Sequence, residues 1–554
     1  MKRQEDLIKY IEQSLKQNWE LNALTDYKKS TLRYKDVARK IAEIHLLFEE
    51  SSIKQGDKIA ICGKNSSYWA VVFLAVITYG AVAVPIHHEF STDNIHNIVN
   101  HSEARLLYVE DSIRKNLSER AMNQLEGLFS LNSFKLVSSK SEKLNNTYTL
   151  LHSLYRQKYP IDITPEDISY PKSEPDKLAL INYTSGTTGF SKGVMLPYRS
   201  LSSNVEDCYE RHPLNPGDKT IARLPLGHVF GMVYEFLYII CTGAHIHFLT
   251  QAFSPLEITE AFQKIQPKIV CCVPLIIEKL FKKDILPEIE SEISSLSPSL
   301  PTINEQSIAS IQRKIRNAFG GAFVEIIIGG APLNSGIETI IRIIKLPYVT
   351  GYGMTECGPI ITCNHWQDQI HGSCGKVATN MEIKILSENP EKIPGEVICK
   401  GTNLMLGYYK NEDATREAID ADGWLHTGDM GTIDKEGNLT LKGRCKNMLL
   451  NASGQNIYPE EIELILNNMP YVSESVIIME KEELVALIYP DYDFAYANGL
   501  NDDDIEKTME TNRVSLNQQI AKYEQISIIR IQHHEFEKTA KKSIKRFLYQ
   551  DKTA

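Results

Sequence analysis

Residues 34–48 (YKDVARKIAEIHLLF) place apolar side chains at helical spacing, which predicts an amphipathic helix with one face turned to a core. Gly56-Asp57-Lys58 then turns the chain into Ile59-Ala60-Ile61, a short apolar run that reads as a strand. Residues 69–86 (WAVVFLAVITYGAVAVPI) are nearly all apolar over 18 positions, the lower limit for a membrane span. Tyr79-Gly80 and Pro85 divide that run into pieces too short to cross ~30 Å of hydrocarbon as one helix. A buried helix followed by a short strand is the expectation.

Further apolar runs at 106–109, 178–182, 268–273, 323–328 and 347–350 are separated by segments long enough for helices. That alternation is the pattern of an α/β fold with largely parallel sheets. Residues 283–309 are rich in Ser, Glu and Pro and read as a solvated helical excursion or mobile loop. Beyond residue 440 the texture changes. A turn at Gly443-Arg444-Cys445-Lys446 leads into a helix-like run at 459–469 and strand-like runs at 472–479 and 483–489. The expected organisation is a large, multi-lobed α/β domain over 1–445 and a small α+β domain over 446–554, of ordinary domain size.

Length supports two domains, since 554 residues exceed what one hydrophobic core serves. With 42% hydrophobic and 23% charged residues, the chain is an ordinary globular one. A formal net charge of −10 argues against a nucleic-acid binder. Ten cysteines without any Cys-x-x-Cys spacing suggest neither a disulfide framework nor a zinc site, so a reducing compartment fits. Basic residues near the N-terminus have no apolar stretch behind them, so no secretory signal is read there. The expected location is the cytoplasm.

Candidate chemistry concentrates in YTSGTTGFSKG at 183–193. Glycines allow close backbone approach, so successive N–H groups can cradle a polyphosphate, with Thr and Ser hydroxyls and Lys192 adding donors and charge. The spacing is not that of a Walker A loop, because Ser191 stands where the second glycine belongs and Gly193 follows the lysine. Taken alone, the cluster is equally a flexible surface loop.

Four more motifs accompany it: LPLGHVFG at 224–231, GGAPL at 329–333, GYGMTECGP at 351–359, and GWLHTGDMG at 423–431 running on to GRCKNMLLNASGQNIYPEEIE at 443–463. With all five in this order, the chain resembles the adenylate-forming enzymes that include acyl-CoA synthetases, peptide-synthetase adenylation domains and firefly luciferase. The resemblance spans almost the whole chain. It implies ATP, Mg²⁺ and coenzyme A as cofactors. Thr184, Ser185, Gly186, Thr187, Thr188, Gly189 and Lys192 match the loop that covers the β- and γ-phosphates. Glu356 with Thr355 matches the pair that meets Mg²⁺ and the α-phosphate, and Thr184 is a second candidate oxygen at the metal.

The resemblance likewise implies that Tyr352, followed by Gly353, stacks on adenine, with Gly330, Ala331 and Pro332 along the other edge of the base. Asp429 matches the carboxylate that accepts from both ribose hydroxyls, and Arg444 a second ribose or phosphate contact. His228 matches the position that lines the carboxylate-substrate pocket and gates the thiol. Lys446 matches the hinge, and Gly454 the loop that rotates in to line the thiol tunnel. The implied activity is that of an ATP-dependent acyl-CoA ligase acting on a medium- to long-chain fatty acid, without a side-chain nucleophile.

One departure matters. Members of this group carry a lysine near the C-terminus that bridges the substrate carboxylate and the α-phosphate. Here the segment reads EKTAKKSIKR at 537–546, and alignment on Lys538-Thr539 and Arg546 puts Ser543 at that position. A one-residue slip brings in Lys542, which is the candidate catalytic lysine. Two other readings stay open: acyl transfer to a carrier protein, and a degenerate member that binds nucleotide or acyl-AMP with weak adenylation. An amphiphilic substrate also leaves open peripheral contact with the inner face of the membrane, although no lipidation motif stands out.

Overall fold

The computed structural model describes residues 6–184, 192–249, 254–281, 285, 305–450, 456–481, 483–538 and 544–550. The large N-terminal domain is built on an eight-stranded sheet, ordered Gly407–Tyr408, Lys192–Pro197, Leu178–Thr184, Val82–Ile86, Lys58–Cys62, Leu106–Val109, Gly127–Ser130 and Leu136–Ser139. Its middle strands, from Leu178–Thr184 to Gly127–Ser130, run parallel. Those at 82–86 and 106–109 are buried throughout, as parallel strands covered on both faces must be.

The apolar run at 69–86 resolves as the expected helix and strand. Ser66 caps the helix Ser67–Tyr79 by accepting from the Trp69 N–H at 3.1 Å. Gly80, at φ +87°, ends it, a conformation that a side chain disfavours, and the chain enters the strand Val82–Ile86 two residues later. Trp69 stacks on Phe73 with centroids 5.4 Å apart, and both meet Phe236 edge-on. Burying such side chains contributes ~1.5–3 kcal/mol each, so this helix is fixed against the segment that follows residue 228.

A second group of parallel strands comprises Ile269–Cys272, Glu325–Ile328 and Tyr348–Thr350. Beside it stands a sheet ordered Lys219–Ala222, His245–Phe248, Asn22–Asp26 and Thr31–Arg33. The Lys268 N–H donates to the Lys219 carbonyl at 2.8 Å, joining the two. An antiparallel sheet of Met381–Leu386, Gly395–Gly401, Leu425–Ile433 and Leu439–Arg444 completes the domain.

The smaller C-terminal domain packs the helices Pro459–Leu466 and Asp502–Asn517 on the strands Val472–Glu480, Glu483–Pro490 and Ile526–Ile531. Its core contains Ile462, Leu466, Ile477, Leu484, Ile488, Ile505 and Leu516. Of the excursion expected at 283–309, the described part is residue 285 and the start of the helix Glu305–Ala318. No helix among the described residues is long and apolar enough to cross a membrane.

Candidate active site

Ser185, Gly186, Thr187, Thr188 and Gly189 lie outside the described residues, but both ends of their loop are placed. Thr184 and Lys192 face each other across an antiparallel pair, so the loop leaves and re-enters the sheet at one point. The Lys192 ammonium stands 4.8 Å from the centroid of the Tyr408 ring, a cation–π contact. The Tyr408 hydroxyl in turn donates to Glu356 Oε1 at 2.8 Å. Burial, and then the Glu356 carboxylate, push the Tyr408 phenol up, so it remains a donor. A single line of contacts therefore joins the phosphate-loop lysine to the expected metal carboxylate. Tyr408 had no place among the sequence-derived candidates. Its one local cue is Gly407, at φ +133°, where a Cβ would stand 2.6 Å from Thr415 Cγ2.

Glu356 is held by a tight reversal. The short strand Tyr352–Gly353 pairs antiparallel with Ile360–Cys363, and the 3₁₀ turn Thr355–Cys357 lies between them. A Cβ on Gly353 would sit 2.0 Å from the Pro359 carbonyl oxygen, so packing alone demands glycine there. The Glu356 carbonyl accepts from the Met405 N–H at 2.8 Å, and its side chain is 9% exposed. Next to it, burial pushes the Cys357 thiol well up, with its Sγ 3.7 Å from Cys399 Sγ. That is the setting of a structural thiol rather than a nucleophile.

At the other end of the same reversal, the Tyr352 hydroxyl donates to Asp429 Oδ2 at 2.6 Å, and Arg444 Nε lies 2.8 Å from Asp429 Oδ1. Asp429 and Arg444 are direct cross-strand partners, so the pair is set by sheet register. Burial pushes the Asp429 carboxyl up; Arg444 pulls it back, and Glu460 and Glu356 add to the rise. An ionised carboxylate offers about four lone-pair sites, so two partners leave acceptors for two hydroxyls. Gly330, Ala331 and Pro332 leave the C-terminal end of Glu325–Ile328, next to the strand that delivers Tyr352. Gly330, at φ +89°, makes that exit turn.

His228 is the residue before the short helix Val229–Met232, with its ring centroid 4.9 Å from that of His87. The loop carrying it is clamped on three sides. Asn182 Nδ2 donates to the Gly227 carbonyl at 2.8 Å. Asn65 donates to the Leu224 carbonyl and accepts from the Leu226 N–H. Glu235 Oε2 accepts from the Arg223 and Leu224 N–H groups at 2.8 and 2.7 Å. Because Asn182 is on the strand that ends at Thr184, His228 is brought to the same sheet edge as the phosphate loop. His87 was not singled out from sequence; nothing in VPIHHEF marks it.

Lys446 is exposed in the turn Cys445–Asn447, directly after the strand that ends at Arg444. Gly454, Lys542 and Ser543 lie outside the described residues. Glu356 supplies a buried, hard oxygen donor whose Oε2 has no hydrogen-bond donor among the described residues; the Thr184 hydroxyl donates to the Lys192 carbonyl at 3.5 Å, and Thr355 is the neighbour of Glu356 in the chain. That donor set fits Mg²⁺ chemistry.

The AMP-binding enzyme family model matches residues 11–409. A long-chain-fatty-acid–CoA ligase of Mycobacterium bovis is 25% identical over 458 residues, 79% of this chain and 73% of that one. Among solved structures, ATP-bound MatB from Rhodopseudomonas palustris has a TM-score of 0.76 at 20% identity, covering 98% of each chain. The O-succinylbenzoate coenzyme A synthetase MenE from Bacillus subtilis, in complex with ATP and magnesium ion, has a TM-score of 0.73 at 19% identity, covering 97% of this chain and 98% of that one. With a family model spanning most of its length, and with the phosphate-loop ends, Glu356 and Asp429 arranged as described, the chain belongs to the AMP-binding enzyme family.

Proposed function

We propose that the protein is an ATP-dependent, AMP-forming acid–CoA ligase whose substrate is a medium- to long-chain fatty acid. The observation that carries the reading is the buried Asp429 carboxylate, held between Tyr352 and Arg444 at one end of the reversal whose other end holds Glu356. The ribose hydroxyls thereby have a fixed acceptor in Asp429, and the metal that would neutralise the phosphates has a fixed carboxylate in Glu356.

In the first step a carboxylate oxygen of the acid attacks the α-phosphorus of ATP, the bond to the β-phosphate oxygen breaks, and pyrophosphate leaves with both bonding electrons. Lys192 and the loop donors hold the leaving phosphates, and Asp429 and Tyr352 fix the nucleoside. Glu356, with Thr355 and Thr184, is the donor set for Mg²⁺, which when bound supplies charge neutralisation on the phosphates. In the second step the thiol of coenzyme A attacks the acyl carbonyl and AMP departs. His228, on its clamped loop, lines the path of acid and thiol. Catalysis is by positioning and charge stabilisation, as in phosphoryl transfer generally.

The fatty-acid assignment is supported by the Mycobacterium relative named for that activity. AMP release measured across straight-chain acids from short to long, with coenzyme A or with a phosphopantetheinylated carrier protein as acceptor, tests it. The expected result is a maximum at medium or long chains with coenzyme A. Preference for a short or aromatic acid, or for the carrier, would displace the substrate or acceptor assignment.

A further inference from the structure

The strand ends that carry Thr184 and Lys192 are also gripped by the helix Thr92–Ser102 and by residues 409–410. Tyr183 and Gly193, the neighbours of Thr184 and Lys192, are direct cross-strand partners. The Tyr183 ring lies across Gly193, where a Cβ would stand 3.1 Å from Tyr183 Cζ. The Gly193 carbonyl accepts from the Tyr409 N–H at 2.7 Å. The Tyr183 hydroxyl is 2.8 Å from His101 Nδ1, and the His101 ring meets Tyr183 and Tyr409 edge-on, with centroids 5.8 and 5.6 Å apart. The Tyr409 hydroxyl donates to Glu103 Oε2 at 3.0 Å. Lys410 Nζ lies 2.9 Å from Glu103 Oε1 and donates to the His101 carbonyl at 3.1 Å.

Two features set this cluster apart from an ordinary surface network. Glu103 ends the helix Thr92–Ser102 at φ +59°, in the left-handed region that favours glycine or asparagine. A glutamate there strains the backbone, and its carboxylate makes the contacts to Tyr409 and Lys410. The second feature is that the Tyr183–His101 bond has one direction. Burial pushes the Tyr183 phenol well up, so its hydroxyl is the donor. Burial, and then Lys410, push the His101 imidazole down, with Glu103 pulling the other way. Neutral His101 therefore accepts at Nδ1 and carries its proton on Nε2.

We propose that His101, Glu103, Tyr183, Tyr409 and Lys410 form a buttress that holds Gly193, and with it Lys192, in place for the leaving pyrophosphate. All five are positioning residues, since they act through the strand pair Leu178–Thr184 and Lys192–Pro197. The inference rests on the acid–CoA ligase reading. Its consequence is selective: adenylation and its reversal handle the β- and γ-phosphates and need Lys192 in place, whereas thioester formation from acyl-AMP involves neither phosphate. His101 also makes the buttress sensitive to pH. Protonation turns Nδ1 into a donor and takes away the acceptor of the buried Tyr183 hydroxyl. The new cation would stand beside Lys410, Glu103, Tyr183 and Tyr409, with Lys58 Nζ 5.7 Å from the Tyr409 ring centroid. The buttress is therefore intact above the His101 pKa and loosens as pH falls through it.

Glu103→Gly and Tyr183→Phe test it, with the half-reactions assayed separately, as fatty-acid-dependent ATP–pyrophosphate exchange and as thioester formation from supplied acyl-AMP and coenzyme A. Glu103→Gly should melt close to wild type, because a relaxed helix end offsets two exposed contacts. Exchange should nonetheless fall roughly three- to ten-fold in both variants, as loss of a hydrogen bond produces, with thioester formation within about two-fold of wild type. Glu103→Gln, which keeps an acceptor for Tyr409, should recover part of the exchange. The ratio of wild-type to Tyr183→Phe exchange should shrink toward one as pH falls through the His101 pKa. Parallel losses in both half-reactions, unchanged exchange in both variants, or a ratio constant with pH would overturn the buttress. Calorimetry supplies a readout that does not need activity: Glu103→Gly should weaken ATP binding and leave AMP binding unchanged, and equal effects on the two nucleotides would count against the proposal. A wild type inactive toward every acid would instead sink the ligase reading, with the two nucleotide affinities still deciding the buttress.

Discussion

Asp429 is the residue on which opposing electrostatic effects converge. Burial raises its carboxyl pKa while Arg444 and the Tyr352 hydroxyl favour the ionised form that ribose hydroxyls require. ATP affinity should therefore strengthen as pH rises through the Asp429 pKa, and calorimetric titration of Asp429→Asn should show weaker binding without that dependence. Removing the hydrogen bond in Tyr352→Phe should raise the KM for ATP roughly ten-fold or more, consistent with ~1.5–3 kcal/mol for a bond to a charged group, and change kcat less. Tyr408→Phe loosens Glu356 without touching its charge. It should lower the rate of pyrophosphate exchange by ~10-fold on the same scale, and an unchanged rate would remove Tyr408 from the site. Asp429, Glu356 and Tyr352 were legible because each sits in a dense motif. Tyr408 and His87 were not, because their roles come from a two-residue edge strand and from the end of a buried strand, where no local pattern forms.

At the scale of elements, apolar periodicity located the helix Tyr34–Glu50, the helix and strand within 69–86, and, to within one or two residues, the parallel strands Lys58–Cys62, Leu106–Val109, Leu178–Thr184, Ile269–Cys272, Glu325–Ile328 and Tyr348–Thr350, but not the parallel strand Gly127–Ser130. Those runs are read easily because burial on both faces forces continuous apolar sequence. The short strand Tyr352–Gly353 left no such trace, since backbone closeness rather than side-chain pattern dictates it. Gly353→Ala, with its Cβ 2.0 Å from a carbonyl oxygen, should displace Glu356 and abolish exchange while leaving the small domain's melting unchanged. In the helix Pro459–Leu466, burial pushes the Glu463 carboxyl up to about 7, against the pull of Arg546. Its folded-state pKa thus exceeds the unfolded value, so folding retains the proton and this group's contribution is full at low pH. It is lost as pH rises from the ordinary glutamate value through about 7. Denaturant unfolding across that window should show stability falling with pH, and Glu463→Gln should flatten the slope; an unaltered slope would place the titration elsewhere.

For the whole molecule, the architecture separates two tasks. In the proposed reaction the large domain supplies Tyr352, Asp429 and Glu356 for nucleotide and metal, and the small domain, in which Arg546 is paired with Glu463 and Asn447 with Glu460, supplies a lysine. Division into a large and a small domain was visible in the sequence as a change of texture past residue 440, and the structure has both. Which lysine works at the α-phosphate is a question for Lys542 and Ser543. Lys542→Ala should reduce exchange by ~10²-fold if Lys542 fills the site, because a fixed charge opposite developing charge is worth several kcal/mol. Ser543→Lys should then add little. The central claim is that acyl-adenylate forms before any thiol is involved, and fatty-acid-dependent exchange of labelled pyrophosphate into ATP tests it most directly. Exchange is expected to require the acid and Mg²⁺, to proceed without coenzyme A, and to be lost in Glu356→Ala; exchange absent with every acid, or present only when coenzyme A is added, would mean that no acyl-adenylate forms ahead of the thiol step.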